Sequence, residues 1–328
     1  MKSAIILINL GTPDKPERKY VRTFLKEFLS DRRVVEVPRL LWMLILYLII
    51  LPFRSGKAAK AYKQIWFGDI SPLKFFSQEL AQGVEQKIRE QYPQRDITVR
   101  LAMTYCNPSI PSVLDELRES GVENFLFLPL YPQYSATTTA ACMDIVADYF
   151  KKCRDIPQWS WIRNYHDHPA YIQTLAQSVA DYWQQNERGE KLLMSFHGIP
   201  KRNVDLGDPY QQHCEQTAQN LADALQLNAE QWQVTYQSRL GKAEWLQPYT
   251  DKTLEALPAR GVKNLDVICP AFAVECLETL EEIDGEGQEI FRHSGGERFQ
   301  YLPCLNDSEL HQDLMLELCK PFLDSLKA

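Results

Sequence analysis

Residues 191–200 read Lys-Leu-Leu-Met-Ser-Phe-His-Gly-Ile-Pro. The first six form a nearly unbroken apolar run of strand length, with no alternation of polar residues. A run of this kind belongs to a strand covered on both faces, as in a parallel sheet. Gly198 and Pro200 then punctuate the chain, which leaves His197 at the strand end. Working outward, similar runs recur near 3–9, 97–103, 124–129, 157–162, 232–237, 264–269 and 298–302. Helical patterns lie between them. In 17–29, Val21, Phe24, Leu25, Phe28 and Leu29 fall on one helix face, at the i, i+3, i+4, i+7 spacing. Comparable stretches sit near 76–91, 111–120, 137–151, 170–185, 210–225, 250–260, 275–283 and 308–325. Strands alternating with helices predict an α/β fold with parallel sheets. Four strands fall on either side of residue 165. They predict two similar halves, each a four-stranded parallel sheet flanked by helices, over 1–165 and 166–307. Residues 308–328 are expected to form a helix that packs back on the first half.

Composition narrows the classes of function. The chain has 328 residues, enough for about two domains. A net charge of −7 excludes a general nucleic-acid binder, which needs a basic face for phosphate. The eight cysteines contain no CxxC, which argues against a zinc ribbon or a thioredoxin motif. Scattered thiols fit a reducing cytoplasm. The N-terminal apolar run is broken by Asn9 and Thr12-Pro13, so it reads as a buried first strand and not as a signal peptide. GxGxxG, the Walker phosphate loop and the GxSxG elbow are all absent from the sequence.

One segment departs from the pattern. Residues 40–53, LLWMLILYLIILPF, carry no charge. These 14 residues fall short of the roughly 20 that span a bilayer. From Val37 to Gly68 there is no Asp or Glu, while Arg39, Arg54, Lys57, Lys60 and Lys63 are basic. Two readings fit: a buried core helix, or an exposed apolar lip that dips into an anionic membrane surface or closes over an apolar ligand.

In open parallel sheets, ligands bind outside the carboxyl ends of the strands. Peptides rich in aromatic and polar residues cluster there. They include 9–13, 104–108, 129–135, 195–200, 236–241, 270–275 and 303–306. If the two halves open towards each other, these loops line one cleft. His197 is the sharpest single candidate, set against the ordinary alternative of a structural strand-end histidine. His166 and His168 form a His-x-His pair after another strand, a weak metal signal read as a surface loop. Glu275, Glu278 and Glu282 stand at i, i+3 and i+7. At about 100° per residue they share one face of an α-helix. The row is either a solvated acidic face near a helix N-terminus or a path for protons or a hydrated cation. No Lys or Arg lies between Lys263 and Arg292 to neutralise it.

Taken in order, INLGTP, SPL at 71–73, LPLYPQYS, SFHGIP, GDPY at 207–210, YQSRLGKAEWLQP at 236–248, ECLETLEEID and PCLN resemble the ferrochelatase family nearly end to end. The resemblance implies two Rossmann-like, chelatase-type halves with a porphyrin cleft between them. It implies a lyase that inserts Fe(2+) into protoporphyrin IX to form protohaem, the last step of haem biosynthesis. Residue by residue, His197 and Glu278 match the family's catalytic, iron-binding pair. Glu275 and Glu282 match the acidic path behind it. Leu10, Tyr131, Trp245 and Phe272 match the lining of the porphyrin pocket, and residues 38–57 match the membrane-facing lip. Iron is then a substrate, with no permanently bound cofactor. Animal members carry Arg at position 104 and His at position 276, where this chain has Thr104 and Cys276, so no role passes to either. One cluster cysteine of the animal enzymes falls at Ala136, and their others lie in an extension beyond the last residue here. No iron–sulfur cluster is expected. A cytoplasmic protein attached peripherally to the membrane is implied, with contacts to neighbouring haem-pathway proteins a further expectation. Rival readings are a coproporphyrin or sirohydrochlorin chelatase of the same fold, or a non-enzymatic porphyrin carrier. A carrier would leave the acidic row without a purpose.

Overall fold

A computed structural model describes residues 2–241 and 243–326. All eight predicted strands are present. β1 (Lys2–Gly11), β2 (Ile97–Tyr105), β3 (Val122–Pro129) and β4 (Gln158–Trp161) form one sheet in the order β2-β1-β3-β4, with every pairing parallel. β5 (Lys191–His197), β6 (Trp232–Gln237), β7 (Asn264–Ile268) and β8 (Arg298–Tyr301) form a second, parallel throughout, in the order β6-β5-β7-β8. The order is the same in both: the first strand of each set lies second, between its two successors. Helical connections return the chain for each parallel pairing.

The unbroken apolar runs have the burial that parallel sheets require. Ala4 through Ile8 of β1 are fully buried. In the first sheet Ile6, Ile8, Phe125 and Phe127 pack with Val146 and Phe150 from the helix Ala141–Phe150. In the second, Leu193 and Val267 pack with Leu254, Phe291 and Phe299. Helix starts follow sequence signals. Ser71, Ser109 and Ser308 each accept a backbone N–H from three residues on, opening the helices Pro72–Gln91, Ile110–Glu119 and Glu309–Ser325. Gly11 ends β1 with φ +109°, and a Cβ there would lie 1.9 Å from the Tyr105 carbonyl oxygen. No other residue fits that approach.

The chain divides into two compact units. One comprises residues up to Tyr131, Ser135–Asn164 and the residues from Asp307 on; the other comprises Pro132–Tyr134 and Tyr165–Asn306. The last helix, Glu309–Ser325, lies against Pro72–Gln91 of the first unit, with Lys87 Nζ 2.6 Å from Asp313 Oδ1.

The apolar segment of the first unit forms a continuous helix, Arg39–Ile65, of 27 residues with a mean hydropathy of 1.5 over its most apolar window. That is longer than the uncharged run suggested, because the helix continues through the basic flank to Ile65. Only 17% of that window is buried. Leu40 is 85% exposed, Phe53 76%, Leu48 67% and Leu44 60%, which is not the burial of a core helix. A π turn, Leu46–Ile50, interrupts it. Its inner side is fixed to the helix Arg18–Ser30: Trp42 Nε1 donates to the Leu29 carbonyl (2.6 Å) and Arg18 donates to the Pro52 carbonyl (2.8 Å). Leu29, Leu46 and Leu51 make a small core beneath.

Candidate active site

The second unit assembles the chemistry at the carboxyl ends of β5, β6 and β7. His197 closes β5 opposite Gln237 of β6. Its Nδ1 lies 2.6 Å from the Gly198 carbonyl oxygen. A carbonyl only accepts, so Nδ1 carries a proton and Nε2 is the ring nitrogen left for another partner. Gly198 is required by close approach. Its N–H donates to the Gln237 carbonyl (2.8 Å), and a Cβ at 198 would lie 2.7 Å from that oxygen and 3.3 Å from the Trp245 ring. Trp245 is held in turn by its Nε1, which donates to the Leu240 carbonyl at 2.9 Å. The Phe272 ring sits 6.2 Å from the His197 ring, tilted by 55°. His197, Trp245 and Phe272 therefore share one corner.

Glu278 is brought to the same strand ends by Gln237. This side chain is 3% exposed. Its Nε2 donates to the Glu278 carbonyl at 2.7 Å, and its Oε1 accepts from the Ser195 hydroxyl at 2.7 Å. One buried amide thus ties the strand ending in His197 to the turn bearing Glu278. Ser195 also contacts the Thr250 hydroxyl at 2.9 Å, so the amide cannot swing away without leaving buried donors unpaired.

The acidic row differs from expectation. Cys276 is extended (φ −148°) and caps a single turn, Leu277–Thr279; a π-helix follows over Leu280–Gly287. Glu275 precedes the helix and is not on its face. The π turn bonds i to i+5, so residues four apart come into line in place of i, i+3 and i+7. Glu278, Glu282 and Glu286 follow that spacing. Glu282 receives two bonds from Ser238, the backbone N–H to Oε1 (2.7 Å) and the hydroxyl to Oε2. Ser238 adopts φ +65° to make them, a left-handed conformation uncommon outside glycine. Burial raises the pKa of Glu282, and so does Glu278, while Ser238 and the nearby His197 lower it. Glu282 and Glu286 open on a cavity of about 240 Å³, with Ser238, Arg239 and Asp251 on its wall. Arg239 Nη2 is 2.6 Å from Asp251 Oδ2.

Glu275 is 4% exposed and has its partners in the opposite direction. Oε1 accepts from the Cys304 N–H (2.9 Å), while Oε2 accepts from the Tyr301 hydroxyl (2.9 Å) and from the Thr279 hydroxyl. Burial raises its pKa, and the three donors oppose that shift.

Leu10, near the end of β1, and Tyr131, just after β3, belong to the first unit. Tyr131 packs on the core of its own sheet. There the Thr104 hydroxyl donates to the Asn9 carbonyl at 3.1 Å and lies 3.1 Å from Cys142 Sγ. His166 and His168 do not form a metal pair. His166 is buried against His213, with ring centroids 3.7 Å apart and planes within 8°. His168 caps the helix Pro169–Gln185, its Nδ1 accepting from the Ala170 N–H at 3.3 Å. Among the described residues, no three His, Cys, Asp or Glu side chains converge as a metal site. Sequence reading missed Gln237, Ser238 and Glu286. The QS dipeptide at a strand end marked the first two; reading 278–286 at a spacing of four would have found the third.

The ferrochelatase family model matches residues 2–322. The chain is 51% identical to a ferrochelatase of Vibrio parahaemolyticus and 53% identical to one of Vibrio cholerae, each match covering 97% of this chain and 98% of the relative. A ferrochelatase of Aeromonas hydrophila is 50% identical, covering 97% of both chains. Among solved structures, SirB from Bacillus subtilis with Fe3+ aligns with a TM-score of 0.55 at 10% identity, over 98% of this chain and 95% of that one. CbiX, described as the terminal enzyme of sirohaem biosynthesis in denitrifying bacteria, aligns at 0.54 and 13% identity, over 99% and 100%. At such identities the two structures speak for the fold alone: a chelatase architecture of two parallel four-stranded sheets. By sequence over nearly its whole length, the chain belongs to the ferrochelatase family.

Proposed function

We propose that this chain is a protoporphyrin ferrochelatase, a lyase that exchanges two pyrrole protons for Fe(2+) and releases protohaem. The observation that carries the reading at residue level is the Gln237 bridge, which joins the strand of His197 to the turn of Glu278. His197 offers its Nε2, suited to take a pyrrole proton or to meet the metal. Glu278 supplies a carboxylate to the same cation, and imidazole with carboxylate suits Fe(II) as a transient stop. Glu282 then passes protons or the hydrated cation between Glu278 and the cavity that it shares with Glu286. Trp245 and Phe272, which share the corner of His197, act as apolar walls for the macrocycle. Iron is the substrate, and no resident cofactor or iron–sulfur cluster takes part.

Sequence relatives at about 50% identity are ferrochelatases, whereas the sirohydrochlorin-type chelatase SirB is 10% identical. That contrast favours an iron–porphyrin reaction. The exposed helix Arg39–Ile65 favours protoporphyrin, the less carboxylated substrate, delivered at a membrane. We place the protein in the cytoplasm, held peripherally by this helix, with Arg54, Lys57, Lys60 and Lys63 against anionic headgroups.

The test offers the purified protein Fe(2+) under anaerobic reduction with protoporphyrin IX, coproporphyrin III and sirohydrochlorin in turn. The expected result is turnover of protoporphyrin IX well above the other two. Preference for either alternative reassigns the substrate, and binding without metal insertion in every case leaves a carrier.

A further inference from the structure

The acids near the site are not equivalent, and Glu275 has the environment of a fastener. It lies before the helix, behind the cap residue Cys276. Three donors meet its carboxylate: the Cys304 N–H, the Tyr301 hydroxyl and the Thr279 hydroxyl. Its own N–H donates to Asn306 Oδ1 at 2.8 Å, and the Thr279 hydroxyl oxygen accepts from the Cys276 N–H at 3.0 Å. These bonds join two segments. One is the turn Leu277–Thr279, which bears Glu278. The other is the end of β8 and the loop after it, through Tyr301, Cys304 and Asn306. Gln237 holds the same turn from its other side, at the Glu278 carbonyl. A group that relays protons needs an open neighbour on each side; Glu282 has one, in its cavity.

We propose that Glu275 is a positioning residue, which fixes the turn of Glu278 to the loop after β8 and passes neither protons nor the cation. The proposal rests on the ferrochelatase reading, because its effect is on the reaction at Glu278. Burial also disfavours a charge at Glu275 unless all three donors stay in place.

The test compares Glu275→Gln, Tyr301→Phe, Thr279→Val and Thr279→Ser in full-length protein. It measures kcat and KM for Fe(2+) across pH, together with the visible spectrum of Co(2+) bound as a probe. A displaced carboxylate loses rate steeply, about a hundredfold for a shift of about 1 Å. Tyr301→Phe and Thr279→Val are expected to lower kcat about tenfold, change the Co(2+) spectrum, and leave both limbs of the pH profile where they are. Thr279→Ser, which keeps the hydroxyl, restores kcat. Glu275→Gln should do at least as much damage as either single loss. If it does not fold, the Tyr301 and Thr279 variants carry the test alone. Two results overturn the proposal: wild-type kcat in Thr279→Val and Tyr301→Phe, or a shifted pH limb in Glu275→Gln with the other variants unchanged. Wild-type protein that inserts no metal at all would instead overturn the functional reading beneath it.

Discussion

The two sheets have the same strand order and differ in what their strand ends carry. In the first unit the residues just after β1, β2 and β3, Thr12-Pro13, Cys106-Asn107 and Leu130-Tyr131, include no histidine or carboxylate, and its unusual feature is an exposed greasy helix. In the second unit the equivalent positions hold His197, Gln237 and Ser238, with an interrupted helix bearing Glu278 and Glu282. A repeated scaffold does not dictate repeated chemistry; the side chains at strand ends do. The sharpest way to break the comparison is at the pair proposed to react, His197 and Glu278. His197→Ala or Glu278→Gln should lower kcat by roughly 10²- to 10⁴-fold while porphyrin binding, read by fluorescence quenching, persists. Wild-type turnover in either would move the chemistry elsewhere.

A smaller effect is expected at Gly198. An alanine there meets the Gln237 carbonyl oxygen at 2.7 Å, so the ends of β5 and β6 must part and carry His197 with them. A fall in kcat of about ten- to a hundredfold is expected, with the matching substitution at Gly56 silent, because that glycine has ordinary helical backbone and nothing lies within 4 Å of its Cβ position. The helix of the first unit gives a different signature. Leu44→Asp with Ile49→Asp should release the protein from anionic vesicles, since each buried apolar side chain contributes roughly 1.5–3 kcal/mol. Both residues are exposed, so melting should change by only about 0.5 kcal/mol. Unchanged partitioning would remove the membrane role.

The smallest effect concerns pH. Glu282 has its pKa raised from the ordinary 4.5, chiefly by burial. A raised pKa means that folding favours the protonated acid. That contribution is complete below pH 4.5 and is lost as pH rises through the folded-state value. Glu282→Gln should therefore flatten the decline of stability above pH 4.5, measured by denaturant midpoints. A steeper decline would mean that Ser238 outweighs burial.

Much of this was legible before any coordinates. The eight strands showed as short β-like runs, the most apolar of them, β1 and β5, because they are buried on both faces, and His197 stood out because it closes one of these. The helix at 40–53 was visible by its lack of charge, and of its two readings the exposed lip is the one that its low burial bears out. The acidic segment was misread for a physical reason. An α-helical period grouped Glu275 with Glu278 and Glu282, whereas the helix starts later and winds wider, so Glu286 replaces Glu275 in the line. Gln237, Thr279 and Tyr301 gave no signal, because a buried polar group is defined by its partner, and partners far apart in sequence leave no period. His166 was read with His168 as a surface loop, whereas it is buried and its ring stacks on His213.

The return of the chain at Asp307 makes the second unit a guest within the first, with both of its ends tied to the host. During synthesis the host's helix Pro72–Gln91 must wait without its neighbour, Gly83 and Lys87 lacking Gln312 and Asp313, until Glu309–Ser325 emerges. The guest can fold while the host is still incomplete. A chain truncated after residue 306 should thus lack the buried Leu314, Met315 and Leu318 of that helix and present its host as a target for chaperones.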